Sequence, residues 1–382
     1  MKFVNKKVCL LFITAYLEAR RHKRFKANTL QFSQAVEINI RYLNNQINSR
    51  QYKIKPSLCF IAFNPIKREI FAGDFSDRVI HHLIFEKLNR YYENIFINDC
   101  YSCRKNRGTS YGVKRANKFM RAVSYNYQRS AYVLKLDIKG YFMNIDRHIL
   151  YGQNKKLIKK FFKKQPAEIN EILYLLKKII FNDPTINCKL RGKKEDWQGL
   201  PKNKSLFSAS PNKGLPIGNL TSQLFGNVYL NDFDHFVKEK LKCRYYGRYV
   251  DDMIFMHQDK EYLKAIIPKI EFYLKKNLAL EIHPKKIYLQ PINHGLSFLG
   301  AFIKPYRLYP GKRIRKNIYS AFKEAARGQR SIDSLNSYLG VIKNYNSYKF
   351  RKNLFARRLG FATLNKLKAK INDDYTKIIP QK

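Results

Sequence analysis

The sequence predicts an α+β fold in which short strands alternate with helices. Runs rich in Tyr, Val, Ile and Phe favour strands at four places, residues 58–63, 132–137, 244–256 and 297–303. Apolar residues at helical spacing occupy the segments between them, for example 261–277. A chain of 382 residues, 45% of them hydrophobic, is long enough to bury a core.

The charge balance indicates a polyanionic partner. Lys and Arg number 75 against 28 Asp and Glu, which gives a formal net charge of +47. Such an excess repels itself in a compact fold unless a polyanion screens it, and nucleic acid is the expected polyanion. A membrane surface is the alternative. However, an uninterrupted apolar run of about 18 residues is missing, so we expect no membrane partner and a cytoplasmic location.

The cysteines predict reduced thiols, because their spacing matches no disulfide scaffold. Cys100 and Cys103 form a C-x-x-C, but no second pair lies nearby to complete four zinc ligands. The first 50 residues predict a helical extension. Its start, basic and then apolar over 8–17, is typical of a signal peptide, yet the basic run after Glu18 lacks a small-residue cleavage pattern, which favours an amphipathic helix.

Two basic stretches follow this extension. Arg68 and Arg78 are ten residues apart across a strand-to-helix junction, where two guanidiniums can converge on phosphate oxygens. Arginines so placed are equally typical of a solvated surface. Arg104 and Arg107 belong to a polar turn that contains Gly108 and is suited to a phosphate backbone.

Carboxylates occupy two strand-like stretches. An apolar strand ends at Asp137, and Gly140 lets the chain turn directly afterwards, although a lone Asp there is also a common helix cap. Asp251 and Asp252 interrupt a second stretch and predict the tip of a hairpin. Adjacent carboxylates repel, and a divalent cation would neutralise them, but an isolated acidic pair also fits a solvated loop. Three carboxylates on neighbouring strands would suit two magnesium ions.

The remaining segments are basic or rich in turn residues. We expect residues 151–213 to form a basic surface insertion that contacts RNA or DNA, and 214–223 to form a glycine-containing loop before a helix over 224–237. A short strand is predicted within 280–287, with the Lys pair after its turn. The last eighty or so residues are predicted to be helical, with aromatic side chains among basic ones, which suits a surface that grips a duplex but also a solvated helix face.

Taken in order, LKLDIKGYF (134–142), GLPIGNLTSQ (214–223), YVDD (249–252), the Lys285–Lys286 pair and SFLG (297–300) resemble the motifs of reverse transcriptases. The resemblance spans about residues 58–350 and implies a right-hand polymerase with fingers, a palm of antiparallel sheet and helices, and a helical thumb. It also implies a division of the chain into a helical extension (1–50), fingers and first part of the palm with the basic insertion (51–230), palm with hairpin and primer grip (231–304), and thumb with tail (305–382). Too few residues follow SFLG for an RNase H or endonuclease domain as well, so we expect none.

The resemblance implies a role for each matching residue. Asp137 and Asp251 would be the principal metal ligands, Asp252 the third carboxylate, and the Ile138 carbonyl a further ligand for two Mg²⁺ ions, with Mn²⁺ as a possible substitute. Phe142 would exclude a ribose 2′-hydroxyl. The implied nucleotide-binding set is Arg68, Arg78, Phe142, Ile217, Gly218 and Lys286. The implied template and primer set is Arg104, Arg107, Ser222, Gln223, Phe298, Leu299 and Gly300.

Two departures from the common pattern predict a subclass. Ile217-Gly218 and Ser222-Gln223 stand where many reverse transcriptases have Gln-Gly and Ser-Pro. IGNLTSQ resembles the enzymes of diversity-generating retroelements, relatives of group II intron reverse transcriptases, which implies cDNA synthesis that is error-prone at template adenines. The implied partners are template RNA, primer or cDNA, dNTPs, a noncoding RNA and a small accessory protein. The alternatives are a phage-defence reverse transcriptase that uses its own noncoding RNA and an inactive RNA-binding scaffold.

Overall fold

A computed structural model describes residues 6–63 and 66–381. The first five residues of the predicted helical extension, two residues of the predicted fingers and the last residue of the tail lie outside the described part. The described helices are α1 (Lys6–Arg20), α2 (Ala27–Gln34), α3 (Val36–Asn48), α4 (Phe75–Ile95), α5 (Thr109–Val123), α6 (Tyr141–Asn144), α7 (Arg147–Phe161), α8 (Pro166–Phe181), α9 (Leu220–Tyr229), α10 (Asn231–His235), α11 (Lys260–Leu278), α12 (Lys312–Ala326), α13 (Ile332–Lys343), α14 (Tyr348–Ala356) and α15 (Arg358–Lys366).

Short strands separate these helices, and most of them form antiparallel pairs. They are β1 (Leu58–Ala62), β2 (Arg68–Ala72), β3 (Tyr132–Asp137), β4 (Lys189–Leu190), β5 (Tyr245–Tyr249), β6 (Asp252–His257), β7 (Tyr288–Pro291), β8 (Leu296–Phe298), β9 (Ala301–Lys304), β10 (Arg307–Pro310), β11 (Ala369–Ile371) and β12 (Ile378–Pro380). The strand orders are β2-β1-β4, β5-β6-β3-β7, β10-β9-β8 and β11-β12. The predicted α+β class is confirmed.

One of two compact units comprises the described residues up to 106, with 135–253 and 264–287. In it β1 pairs with β2 antiparallel and with β4 in parallel. Helix α4 begins where Asp74 accepts a hydrogen bond from the Ser76 amide, and it packs against α1 and α9. A cluster of Cys59, Phe71, Met143 and Leu206 fills the space beneath β1 and β2.

The other unit comprises residues 107–134, 254–263 and 288–382. Strands β8, β9 and β10 form an antiparallel meander, and helices α12 to α15 follow it. Buried side chains of α12, α13 and α14, among them Phe322, Leu339 and Leu354, form one core together with Ile378 of β12. Amphipathic spacing accounts for this core, because each helix turns its apolar face inward.

Several local predictions need correction. Residues 280–283 form no regular strand, since Ile282 makes only an isolated antiparallel bridge with Ile138, and the turn expected before the Lys pair is a 3-10 turn that begins at Pro284. The basic C-terminal region is not wholly helical, since β11 and β12 pair at its end. The segment predicted as one helix over 224–237 is divided between α9 and α10 and ends in a π-helical turn. No helix in the described part of the chain is long and apolar enough to span a membrane.

The basic insertion is also more firmly integrated than a surface insertion. Helices α7 and α8 pack against each other and bury Leu150, Ile158 and Leu175. The indole Nε1 of Trp197 donates a hydrogen bond to Glu69 Oε1 over 2.9 Å. Its contact with RNA or DNA stays a prediction, as does the division of the chain into four segments.

Candidate active site

The three predicted carboxylates occupy the ends of neighbouring strands. Asp137 is the last residue of β3, Asp252 is the first residue of β6, and Asp251 lies in the turn between β5 and β6. The hairpin predicted around the acidic pair is therefore confirmed. Lys135 Nζ lies 3.0 Å from Asp252 Oδ1, so the end of β3 and the start of β6 are side by side.

A backbone ladder continues beyond β3 and positions a lysine. The Asp137 carbonyl accepts a hydrogen bond from the His283 amide over 2.8 Å, and the Lys139 amide donates to the Glu281 carbonyl over 2.9 Å. The 3-10 turn that follows His283 carries Lys286, whose Nζ lies 2.9 Å from both carboxylate oxygens of Asp137. Neither of these two backbone hydrogen bonds, from the His283 amide and from the Lys139 amide, involves the Ile138 carbonyl.

Burial and mutual repulsion perturb the acidic pair. Burial raises the pKa of Asp251 to about 7, and the charge of Asp137 adds to the rise. Burial also raises the pKa of Asp252, while the ammonium of Lys135 opposes that rise. The charges of Asp137 and Asp252 also oppose ionisation of Asp251, as is expected of carboxylates that share one site.

The donor set of this site fits a hard divalent cation. Oδ1 of Asp252 is buried, and the ammonium of Lys135 lies 3.0 Å from it. Carboxylate oxygens are the ligands that Mg²⁺ prefers. In the described ranges 6–63 and 66–381, no three acidic, His or Cys side chains converge closely enough to form a ready metal centre. Asp137 and Asp252 are instead each paired with a lysine.

A buried ion pair stabilises the hairpin formed by β5 and β6. Arg248 donates to both carboxylate oxygens of Asp234, over 2.8 and 2.6 Å, and both side chains are fully buried. Its Nη1 also donates to the Val250 carbonyl over 2.9 Å. Val250 has a φ of +56°, which is unusual for a β-branched residue. Tyr246 donates to Asp234 over 2.6 Å, so one carboxylate organises both β5 and the turn.

Comparison with known families decides the identity of this site. Residues 68–303, more than half of the chain, match the family described as reverse transcriptase (RNA-dependent DNA polymerase). The chain belongs to the reverse transcriptase family. Its mixed helical and antiparallel fold is therefore that of a polymerase, and the acidic site lies within the matched range. No curated protein matches the sequence significantly.

Solved structures with some likeness to this reverse transcriptase include three of Candida tropicalis telomerase. The apo form truncated from its C-terminal domain is 14% identical, with a TM-score of 0.45, and the match covers 69% of this chain and 58% of that one. Apo telomerase is 11% identical, with a TM-score of 0.47, and the match covers 82% of this chain and 63% of that one. The telomerase complex with a TWJ fragment of telomeric RNA is 13% identical, with a TM-score of 0.45, and the match covers 83% of this chain and 57% of that one. The chain thus spans less than two thirds of each.

Three of the predicted nucleotide-binding residues contact β2 or α9. The Ile217 carbonyl accepts a hydrogen bond from the Phe71 amide over 2.8 Å, and a Cβ on Gly218 would lie 2.7 Å from the Phe71 carbonyl oxygen. Phe142 packs against Gly226 of α9, where an added Cβ would be 3.3 Å from Phe142 Cε1.

The two predicted phosphate-binding arginines differ in their surroundings. Arg68 is exposed at the start of β2, close enough to lower the pKa of Tyr249 slightly against the larger effect of burial. Arg78 is half-buried, and its Nε donates to the Gly73 carbonyl over 2.9 Å. Arg68 is therefore the more accessible of the two guanidiniums.

Two of the predicted template and primer residues, Arg104 and Ser222, have buried side chains. The Arg104 side chain is only 5% exposed, and it binds Glu93 Oε2 over 2.8 Å and the Ile97 carbonyl over 2.7 Å. This guanidinium holds the polar turn in place, and a contact of Arg104 with the template stays a prediction. Ser222 is buried in α9, whereas Gln223 is exposed and accepts a hydrogen bond from Cys103 Sγ.

The remaining members of the template and primer set lie in the other compact unit. Arg107 Nη1 donates to the Tyr111 hydroxyl over 3.2 Å. Phe298 is buried at the end of β8, and Leu299 and Gly300 form the tip of the β8–β9 hairpin with φ values of +49° and +84°. The Gly300 carbonyl accepts a hydrogen bond from the Gly311 amide over 2.8 Å, which fixes this tip at the start of α12.

Two residues of the site were missed by the sequence reasoning. Lys135 precedes Asp137 by two positions, and alternation along a strand puts both side chains on one face, so the pattern contained a usable signal. Arg248 stands in an otherwise apolar and aromatic strand, where a charge demands a partner. Only the fold identifies that partner as Asp234.

Proposed function

We propose that this reverse transcriptase copies an RNA template into DNA by adding deoxynucleotides to a primer. The observation that carries the proposal is the group of three carboxylates flanked by two lysines, Lys135 and Lys286, within the range that matches the family. The lysines balance two of the three acidic charges. This arrangement suits a centre in which the carboxylates leave their lysine partners and bind metal during turnover.

The residues that would hold the metal are Asp137, Asp251, Asp252 and the carbonyl of Ile138. Two Mg²⁺ ions, or Mn²⁺ in their place, would supply activation of the primer 3′-hydroxyl and neutralisation of the triphosphate. The chain itself contributes position. Strand β3 fixes Asp137, the Arg248 ion pair fixes the turn before Asp251, and Lys286 can turn from Asp137 to a phosphate when metal binds.

Phe142 would select deoxyribose. Its ring lies five residues after Asp137 and is half-buried against α9, which leaves an edge available to a bound sugar. Arg68 would bind the triphosphate, since it is exposed. The basic excess of the chain favours an RNA template and primer as partners, with strongly salt-dependent affinity.

Primer extension on an RNA template with Mg²⁺ tests the proposed polymerase. We expect extension by the wild type and a loss of at least about a thousandfold in Asp251→Asn, because carboxylate charge at the metal centre is removed. Asp373→Asn is the matched control, since Asp373 is an exposed acid outside the site. A wild type that extends no primer on any RNA, its native RNA included, would favour the inactive RNA-binding scaffold.

A finer proposal concerns fidelity. We infer from the IGNLTSQ motif that the enzyme belongs to a diversity-generating retroelement, with a noncoding RNA and a small accessory protein as partners and frequent errors at template adenines. Isoleucine at position 217 lacks the hydrogen-bonding amide that glutamine would offer beside the nascent pair. Sequencing of cDNA from the native RNA tests this, with Ile217→Gln expected to lower adenine errors. Uniform fidelity across bases would favour the phage-defence alternative.

A further inference from the structure

Residues 197–206, here called the strap, cross from the basic insertion onto β2. The carboxylate of Glu69, which is 1% exposed, organises this crossing. It accepts hydrogen bonds from Trp197 Nε1 over 2.9 Å, from Ser205 Oγ over 2.8 Å and from the Leu206 amide over 2.6 Å. All three donors belong to the strap, so a single buried acid fixes both of its ends.

Apolar packing reinforces this attachment. Leu206 is 4% exposed and belongs to the cluster formed with Cys59, Phe71 and Met143, and the Trp197 ring packs against the same cluster. Lys67, next to the proposed phosphate-binding Arg68, also donates to the Gln198 carbonyl over 2.5 Å. The strap is therefore held in a defined place by both polar and apolar contacts.

Between its two ends the strap lies directly on the turn that follows Asp137. Residues 202–204 form a 3-10 turn. A Cβ placed on Gly140 would lie 2.6 Å from the Asn203 carbonyl oxygen, and Gly140 has a φ of +54°. Gly140 is three residues from Asp137 and two from Phe142, so the strap covers backbone between the metal centre and the proposed sugar-selecting ring.

The charge of the strap indicates what it binds. Lys202 and Lys204 are exposed on either side of Asn203. Two exposed ammonium groups on a turn that packs against Gly140 favour a polyanion, and the triphosphate of a nucleotide is a polyanion that must reach Asp137 during synthesis.

We propose that the strap forms a wall of the nucleotide site and that Lys202 and Lys204 bind the triphosphate of the incoming nucleotide. This inference rests on the proposed polymerase function. Glu69 is then a positioning residue, because it places the strap without touching the nucleotide. Lys202 and Lys204 belong to the basic insertion, whereas Arg68 belongs to β2 and Lys286 to the turn after His283.

Steady-state primer extension with Lys202→Ala/Lys204→Ala tests the proposal. We expect the KM for dNTP to rise roughly tenfold or more, as loss of charge-assisted contacts predicts, with the KM for template–primer unchanged. Lys163→Ala/Lys164→Ala removes the same charge from exposed positions of the same insertion and should leave the dNTP KM unchanged. Glu69→Gln should also raise the dNTP KM, because the amide cannot accept all three hydrogen bonds.

An unchanged dNTP KM in the strap variant would overturn the proposal, as would a rise in the KM for template–primer alone, which would mean that the lysines bind nucleic acid. Equilibrium binding of a fluorescent dNTP with Mg²⁺ separates this inference from the proposed function. One outcome would separate the two proposals: the wild type binds the nucleotide, the strap variant binds it roughly tenfold more weakly, and neither protein extends a primer. In that case the polymerase proposal fails and the strap inference stands.

Discussion

Arg248 Nη1 donates a hydrogen bond to the carbonyl of Val250 over 2.9 Å, and it thereby holds a residue with a φ of +56° directly before Asp251. A β-branched residue in the left-handed region costs about 1–3 kcal/mol and persists only when its surroundings impose it. The buried ion pair with Asp234 makes the guanidinium rigid enough to impose it. Backbone strain is thus stored next to a proposed metal ligand.

Replacement of Arg248 should impair the position of Asp251. We expect Arg248→Lys to lower kcat by about ten- to a hundredfold with little change in dNTP KM, since only the metal centre moves. Val250→Gly should restore part of kcat in that background, because glycine adopts positive φ without strain. Primer-extension kinetics measure both effects.

A control and a rescue experiment test this role. Arg244→Lys, at an exposed position of the same segment, should leave kcat unchanged and serves as the control. If Val250→Gly gives no recovery while thermal unfolding shows all variants folded, the bond to Val250 is not what positions Asp251. Loss of the folded state in Arg248→Lys alone would instead reflect loss of the two-point pairing with the buried Asp234 carboxylate.

Removal of Lys135 should strengthen metal binding. Its ammonium lies 3.0 Å from Asp252 Oδ1 and competes with a cation for that oxygen. We expect Lys135→Ala to lower the Mg²⁺ concentration for half-maximal primer extension severalfold, about 2- to 10-fold on the scale of a partly exposed ion pair. Lys269→Ala, at an exposed position of α11, should not change it. A higher Mg²⁺ requirement would mean that Lys135 orients Asp252 rather than competes at it.

Gly226 should tune sugar selection through Phe142. A Cβ at Gly226 would meet Phe142 Cε1 at 3.3 Å and push the ring away from α9, toward its exposed side. We expect Gly226→Ala to raise the preference for dNTP over rNTP, measured as a ratio of kcat/KM values, by about 3- to 10-fold.

The Phe142→Ala background supplies the decisive control for that effect. There, Gly226→Ala should leave the ratio of kcat/KM values unchanged, because no ring remains to be displaced. Gly152→Ala adds the same methyl group to α7 with nothing within 4 Å and should change neither selectivity nor activity. An equal shift in the wild-type and the Phe142→Ala backgrounds would exclude the ring as the route.

Asp77 should make unfolding stability depend on pH. Burial raises its pKa from 3.8 to about 6, although the Tyr52 hydroxyl donates to it over 2.6 Å. Because the folded-state pKa is the higher one, the neutral acid is favoured in the folded protein, and stability falls as pH rises from about 4 to about 6.

Asp77→Asn should remove this dependence. The free energy of unfolding of the wild type relative to the variant should decrease by about 3 kcal/mol across that pH interval, from the size of the pKa change. Urea unfolding at a series of pH values measures it. A difference between wild type and variant that stays constant with pH would show that Asp77 titrates alike in both states.

Short-range patterns allowed much of the fold and site to be predicted. A strand that ends in Asp137, a hairpin that carries Asp251 and Asp252, and the order of the surrounding motifs are local or sequential features, and the observed strands reproduce them. The strand predicted within 280–287 is reduced to a single bridge at Ile282, because the 3-10 turn that begins at Pro284 ends the extended segment.

The sequence by itself determined the family, the three acids and the basic character of the surface. Only the tertiary structure decided which charges meet: Lys286 with Asp137, Lys135 with Asp252, Arg248 with Asp234, and Arg104 with Glu93 rather than with solvent. It also placed the strap on Gly140 through Glu69. Ion pairs and buried hydrogen bonds depend on distances between residues that can be more than a hundred positions apart, and no local pattern encodes such distances.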